Sequence, residues 1–314
     1  MEYYLGLFGG PADENGIRSV RLLTTDEVEA FDSAHDTLSR FLNRRAFVLV
    51  EETYARLQTT LLQHEERCTS GEFPHPNDVV FDINAQLIFW LEAFRLFLNH
   101  TEADLKRQHG ADSTHWLTWK QSAADLFDTE FAYRFMYGLR NYLHVAMPVT
   151  DIRYSSTEVS LGDVESSLDV NFDRDELLRQ GDWNAKVRDD LLAMPPSFSV
   201  VPLIARHQEC VRALLRVLVG VDLAAASDAA ALMTRLADEA LSAPEAIGLP
   251  SSPMVVCIKD LAHDGSRATL SLQGIPLQWI ALVERARRGD IVVFGPSNAA
   301  SSPGSASAHA KSNA

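Results

Sequence analysis

Hydrophobic positions along this chain recur mostly at helical spacing, with alternating stretches confined to a few short segments. Tyr3 to Phe8 is rich in aromatic residues and closes on Gly9-Gly10-Pro11, which predicts a strand, with Ile17 to Leu23 as its partner across a GPADENG loop. Thr25 is the expected N-cap of the first helix, with Asp26 and Glu27 in its first turn, where carboxylates meet the positive end of the helix dipole. Phe31, Leu38, Phe41 and Leu42, then Tyr54, Leu57, Leu61 and Leu62, hold helical spacing as far as Cys68. Asn43-Arg44-Arg45 reads equally as a break between two helices or as part of one. Ser70 to Pro76 is a loop. A long helix then runs from Asn77 or Asp78 to His109, with Ile83, Leu87, Trp90, Leu91, Phe94 and Leu98 on one stripe and Gly110 beyond its end. Ser113 or Thr114 caps a helix from Trp116 to Phe127, and a further helix covers Phe131 to Ala146, stopped by Pro148.

The pattern changes at Thr150, where β-branched and polar residues alternate and predict one or two strands. Asp173 caps a short helix through Leu178, and Asp182-Trp183 opens another to Ala193. Ser199 starts a strong helix with Leu203, Ile204, His207, Val211, Leu214, Leu215 and Leu218 on one face, which Gly220 should stop. Ser227 caps an alanine-rich helix to Leu241. Met254 to Lys259 and Ala268 to Leu272 read as strands around His263-Asp264-Gly265, followed by a helix from Leu277 to Arg288 and a strand from Ile291 to Phe294. These elements predict a mainly α protein: a helical bundle domain with a small β element and a short C-terminal α/β unit. The segments are an N-terminal β part (1–23), a helical domain (24–149), a mixed helical part with a β hairpin (150–245), a small α/β unit (246–295) and a serine- and alanine-rich tail (296–314) expected to be disordered.

Composition narrows the classes. A chain of 314 residues, 46% of them apolar, can bury a large core. It has no apolar run of about 18 residues, so no membrane span is expected. The start, MEYYLGLFGGPADE, lacks a basic n-region, which argues against a signal peptide and for a cytoplasmic protein. Cys68, Cys210 and Cys257 are too sparse for a disulfide framework and have no CxxC spacing. Forty-three acidic against 28 basic residues give a net charge of −15, which repels a phosphate backbone on average. Against that background, residues 131–150 hold two arginines, one histidine and no carboxylate. A packed helix that excludes charge of both signs would have the same composition.

Arg140, Asn141 and His144 fall within this segment, LRNYLHVAMPV. On one helix, Arg140 and His144 are neighbours four residues apart. A histidine can act as general base or acid near neutral pH, and an arginine can stabilise developing phosphate charge. The same residues can equally form a buried hydrogen-bond network. The segment resembles the R-N-x-x-x-H signature of the HEPN superfamily, helical proteins that include many RNA-cleaving toxins and defence factors. It is also similar to a bacterial family with an LRNY-x-Q-H segment, an upstream YRF and a downstream DW, which here are Tyr133-Arg134-Phe135 and Asp182-Trp183. Arg140 and Asn141 match. The histidine comes one residue early at His144, and Val145, which has no proton to transfer, occupies the matching position. The resemblance implies a helical fold and a homodimer with facing motifs. It also implies Arg140, Asn141 and His144 as the catalytic set of a metal-independent endoribonuclease of toxin or phage-defence type, although the displaced histidine carries the fold further than the activity.

The remaining candidates are weaker. His64 and Cys68 stand four apart, as metal ligands can, but the intervening Glu65-Glu66-Arg67 looks like a solvated face. His75 is a loop residue, His109 complements the negative end of its helix, and His207 sits on an apolar face as a core histidine. Gly6 to Gly10 lacks the lysine and the following helix of a phosphate loop, and no cofactor motif is found, so neither cofactor nor metal is expected. The Trp90–Phe94–Phe97 stripe reads as core, or as a dimer interface. Two function classes stay open. One is a non-catalytic binding or regulatory protein, with a second copy or another protein as partner. The other is an endoribonuclease acting on RNA through Arg140 and His144.

Overall fold

The computed structural model describes residues 1–9, 16–160, 163–244, 251–261, 268–290 and 294. The element order is β1 (Glu2–Gly9), β2 (Gly16–Leu22), α1 (Thr25–Leu42), α2 (Arg45–Thr69), α3 (Pro76–His109), α4 (Thr114–Thr129), α5 (Phe131–Tyr142), β3 (Val149–Ser160), β4 (Asp163–Asp173), α6 (Arg174–Gln180), α7 (Ala185–Ala193), β5 (Ser197–Ser199), α8 (Val201–Leu241), β6 (Ser251–Leu261), β7 (Ala268–Gly274) and α9 (Leu277–Arg287). The mainly helical class, the small β element and the C-terminal α/β unit are as expected. Among the described residues no helix is long and apolar enough to cross a membrane. The expected strand at Ile291–Phe294 lies outside the described residues except for Phe294. The His263-Asp264-Gly265 turn and the 296–314 tail lie outside them entirely.

The chain groups into two compact units: Met1–Arg44 with Val219–Ala314, and Arg45–Leu218. This grouping differs from the serial segments read from the sequence, because β1 pairs antiparallel with β6 at the far end of the chain, Tyr4 facing Val256 and Leu5 facing Val255. The first unit therefore holds a four-stranded antiparallel sheet in the order β2-β1-β6-β7. Within it, the N-cap of α1 is Thr24, one residue before the expected Thr25. The Thr24 hydroxyl accepts from the Glu27 N–H at 3.2 Å and the Glu27 carboxylate accepts from the Thr24 N–H at 2.9 Å, a reciprocal capping box.

The second unit contains the segment of interest. Its long α3 begins at Pro76, where His75 Nδ1 accepts from the Asn77 N–H at 3.2 Å, so the histidine read as a loop residue is the helix cap. Gly110, at φ 93°, closes α3. The inner side of α3 carries Ile83, Leu87, Trp90, Leu91, Phe94 and Phe97, all buried, which makes the Trp90–Phe94–Phe97 stripe core. A polar chain crosses this core: the Trp90 indole donates to Gln208 at 3.0 Å, Gln208 donates to Glu51 at 2.9 Å, and Arg212 grips both Glu51 oxygens at 2.9 Å. The second sheet has the order β3-β4-β5.

Four helix boundaries depart from the spacing argument. Gly220 does not stop a helix, and Ser227 does not cap one: α8 continues through both to Leu241. The roughly 1 kcal/mol that glycine costs in a helix is outweighed by burial of Leu218, Val219 and Ala226 on either side, and the Ser227 hydroxyl donates back to the Leu223 carbonyl at 2.7 Å. Asp182-Trp183 does not open α7, because Asn184 caps it through the Val187 N–H at 2.9 Å. Finally α5 ends at Tyr142, short of Ala146. Beyond it the chain closes a tight turn, the His144 N–H donating to the Asn141 carbonyl at 3.2 Å. The buried Asn84 side chain of α3 then draws the strand away, donating to the Val149 carbonyl at 2.8 Å and accepting its N–H at 3.1 Å.

Candidate functional site

Arg140 lies in the last turn of α5 and reaches across to α3. Its guanidinium donates to both carboxylate oxygens of Glu92, Nε at 2.9 Å and Nη2 at 3.3 Å. The pair is partly open to solvent, with side-chain exposures of 29% for Arg140 and 45% for Glu92. None of the carboxylates nearer in sequence holds Arg140: Asp128 pairs with Lys186, and Glu130 takes both guanidinium nitrogens of Arg206, which lowers its carboxyl below the usual range. Asn141 is exposed at the helix end. His144, expected on the same helix as Arg140, stands in the turn after it and is exposed. Val145, at the position of the pattern histidine, is exposed too. The three residues therefore stay near one another in the chain but do not share a helical face.

The neighbouring motif pieces do converge, and they form core. Arg134 is buried and its Nε donates to Asp190, with further bonds from Nη1 to the Phe127 and Asp128 carbonyls at 3.5 and 3.4 Å. Trp183 stacks on Phe135 at 5.5 Å and on Tyr142 at 5.8 Å, and its indole donates to the Leu177 carbonyl at 2.7 Å. Gly138 lies beneath it: a Cβ there would stand 3.0 Å from the Trp183 ring. Phe135 of the YRF element and Trp183 of the DW element thus pack against each other, while Tyr133 turns to Phe94 and His207.

A groove of about 410 Å³ opens between α3, α4 and α5. Arg95, Lys106 and Lys120 bring cations to it, while Trp116, Trp119 and Tyr137 give it aromatic walls. The Arg95 Nη1 donates to the Tyr137 hydroxyl at 2.8 Å and its guanidinium lies 5.4 Å from the ring centre. Lys106 stands 4.5 Å over the Trp116 ring. Sequence reasoning missed this site, because its cations and rings come from three helices and no spacing rule links them.

A second groove, of about 740 Å³, lies along α2 and α3 and is lined by His64, Arg67, Glu72 and Asp82. His64 is buried, with Nε2 3.2 Å from Asp82 and Nδ1 without a partner among the described residues. Cys68 is fully buried and burial raises its thiol pKa. Among the described residues no group of three or more His, Cys, Asp or Glu is placed to hold a metal ion. Compared with known protein families, curated proteins and solved structures, the chain matches none.

Proposed function

We propose that this chain is a non-catalytic binding protein whose helical unit docks a second copy of itself along the outer face of α3. The observation that carries this reading is the exposure of three large apolar side chains on one side of an otherwise well-packed helix: Phe81 at 69%, Phe89 at 59% and Leu96 at 39%. At about 100° per residue these fall within an arc of about 80°, with Glu92 inside it. Exposed apolar groups in such a row favour a partner that removes them from water. Glu92 and Arg140 make the face self-complementary, since across a twofold axis each copy presents a guanidinium to the other's carboxylate. Val145 and Met147, also exposed, follow α5 in the segment that Asn84 ties to α3.

The competing reading is an RNA-cleaving enzyme using Arg140 and His144. Its support is that Arg140 is partly open to solvent and that Asn141 and His144 are exposed. Against it, Glu92 neutralises the guanidinium and sets a carboxylate where a phosphate would bind. Induced expression in a bacterial host, with total RNA checked for breakdown, separates the two. The binding reading expects normal growth and intact RNA for wild type, Arg140→Ala and His144→Ala alike. Growth arrest with RNA breakdown that both substitutions abolish would replace it with the enzyme.

A further inference from the structure

We propose that the groove between α3, α4 and α5 binds a phosphate group between the Arg95 guanidinium and the Lys120 ammonium. The first observation is an uncompensated charge. The buried and half-buried arginines of the helical unit are Arg95, Arg134, Arg140, Arg174 and Arg212. Arg134 holds Asp190, Arg140 holds Glu92, Arg174 holds Asp175 and Arg212 holds Glu51. Arg95 instead donates to the Tyr137 hydroxyl at 2.8 Å and has no carboxylate partner among the described residues. A guanidinium keeps its charge at every ordinary pH, so a half-buried one without an anion has an unmet demand for negative charge. It stays unmet in a chain where acidic residues outnumber basic ones by 43 to 28.

The second observation is the set of groups around it. Lys106 and Lys120 line the same groove, with Glu102 as the lining carboxylate among the described residues. Lys106 engages Glu102, and its ammonium covers the Trp116 ring at 4.5 Å. Lys120 is exposed and has no carboxylate partner among the described residues. Arg95 on α3 and Lys120 on α4 therefore leave a local positive field in a molecule of net charge −15. The rings offer no free face: Trp116 and Trp119 stack on each other, and Arg95 lies over Tyr137 at 5.4 Å. What the groove presents to a ligand is charge and hydrogen-bond donors.

Those donors come from three helices. Arg95 is positioned by its bond to Tyr137, and its other N–H groups form a planar fork that fits two oxygens of one anion. The Tyr137 oxygen accepts from Arg95, so the phenol's own proton is free to be donated. Lys120 adds an ammonium from α4. The fork alone occupies both oxygens of a planar carboxylate. A phosphate group has a further oxygen for Lys120 and Tyr137, and it carries more charge near neutral pH. The volume of about 410 Å³ lies within the range of about 300–1,000 Å³ typical of small-molecule sites. It has room for the free ion or for the phosphate end of a small ester. The site is independent of the docking face on α3, since it uses neither Phe81 nor Phe89.

The test is a titration of the full chain with inorganic phosphate, glycerol phosphate and acetate at constant ionic strength, read by the NMR signals of the arginine Nε–H groups. Saturable binding of at least one phosphate compound is expected, moving the one signal that Arg95→Lys removes, with acetate weaker by about tenfold or more. Arg95→Lys keeps the charge but loses the fork, and should weaken phosphate by about tenfold or more, read by calorimetry. Lys120→Gln, a change at an exposed position, should do the same, whereas Arg56→Gln on the exposed side of α2 should change nothing. Tighter binding of glycerol phosphate assigns the site to an ester, tighter binding of phosphate to the free ion, and either supports it. Absence of saturable binding by both phosphate compounds would overturn the proposal. So would equal affinity for acetate, or a Lys120→Gln protein with the native circular dichroism spectrum that binds as wild type does.

Discussion

His207 is wholly buried with both ring nitrogens unpartnered among the described residues. It sits in an aromatic cage, edge-on to Phe94 at 4.4 Å and to Trp90 at 4.9 Å, and stacked on Tyr133 at 5.8 Å. Burial pushes its pKa down from 6.5 to about 3, so it is neutral in the fold. A depressed folded-state pKa means that the unfolded chain binds the proton more readily. The stability it supports is full above pH 6.5 and is lost as pH falls from there toward 3. The slope for one such group is about 1.4 kcal/mol per pH unit. His207→Leu should remove that slope, and should also raise stability at pH 7 by about 1 kcal/mol by deleting an unpaired donor and acceptor. Urea unfolding of both proteins at pH 7, 5.5 and 4.5 reads the difference, and parallel pH dependences would refute this account. The two arginines of α5 make a second contrast. Arg134→Ala strands the Asp190 carboxylate beside the core and should cost about 2 kcal/mol, less than a fully buried pair because Asp190 is 29% exposed. Arg140→Ala opens a half-exposed pair and should cost about 0.5 kcal/mol. Thermal melts rank them, and a larger loss for Arg140 would make its pair with Glu92 a core element rather than part of a surface.

At the scale of elements, helix periodicity was legible wherever an apolar stripe met a cap. The α3 stripe from Ile83 to Leu98 is buried, and Gly110 ends it at positive φ. Boundaries failed where tertiary contacts overrode local preference. Gly220 reads as a stop, yet the packed residues on both sides carry α8 through it. Past the turn that follows α5, Val149 is held by Asn84 from 65 residues away, a contact no window of sequence contains. His144 falls in that turn, off the helix on which Arg140 sits. Spacing also could not say that Glu92 would hold Arg140, nor that three helices would bring Arg95, Lys120 and Tyr137 to one groove. The clearest element-level test is Gly138, under the Trp183 ring. Gly138→Ala improves helix propensity by about 1 kcal/mol, but its Cβ would press on a ring held by Phe135, Tyr142 and the Leu177 carbonyl. Overpacking of this kind costs about 1–3 kcal/mol, so a net loss is expected. A lower melting temperature with a shifted tryptophan emission would support this, and a gain in stability would show that Trp183 yields freely.

For the molecule as a whole, the strand from the N-terminus completes its sheet only with β6 near the other end of the chain. Truncating residues 1–9 should therefore expose the β6 edge and promote aggregation. The proposed function rests on the helical unit. Its polar motif is spent partly on packing, through Arg134, and partly on a neutralised surface pair, Arg140 with Glu92, beside exposed Phe81, Phe89 and Leu96. The proposed function requires that face to meet a second copy. Sedimentation velocity over a wide concentration range, on wild type and on Phe81→Glu/Phe89→Glu, tests it most directly. A dimer that the paired substitution converts to a folded monomer is the predicted result. A wild-type protein that stays monomeric at every concentration would contradict it.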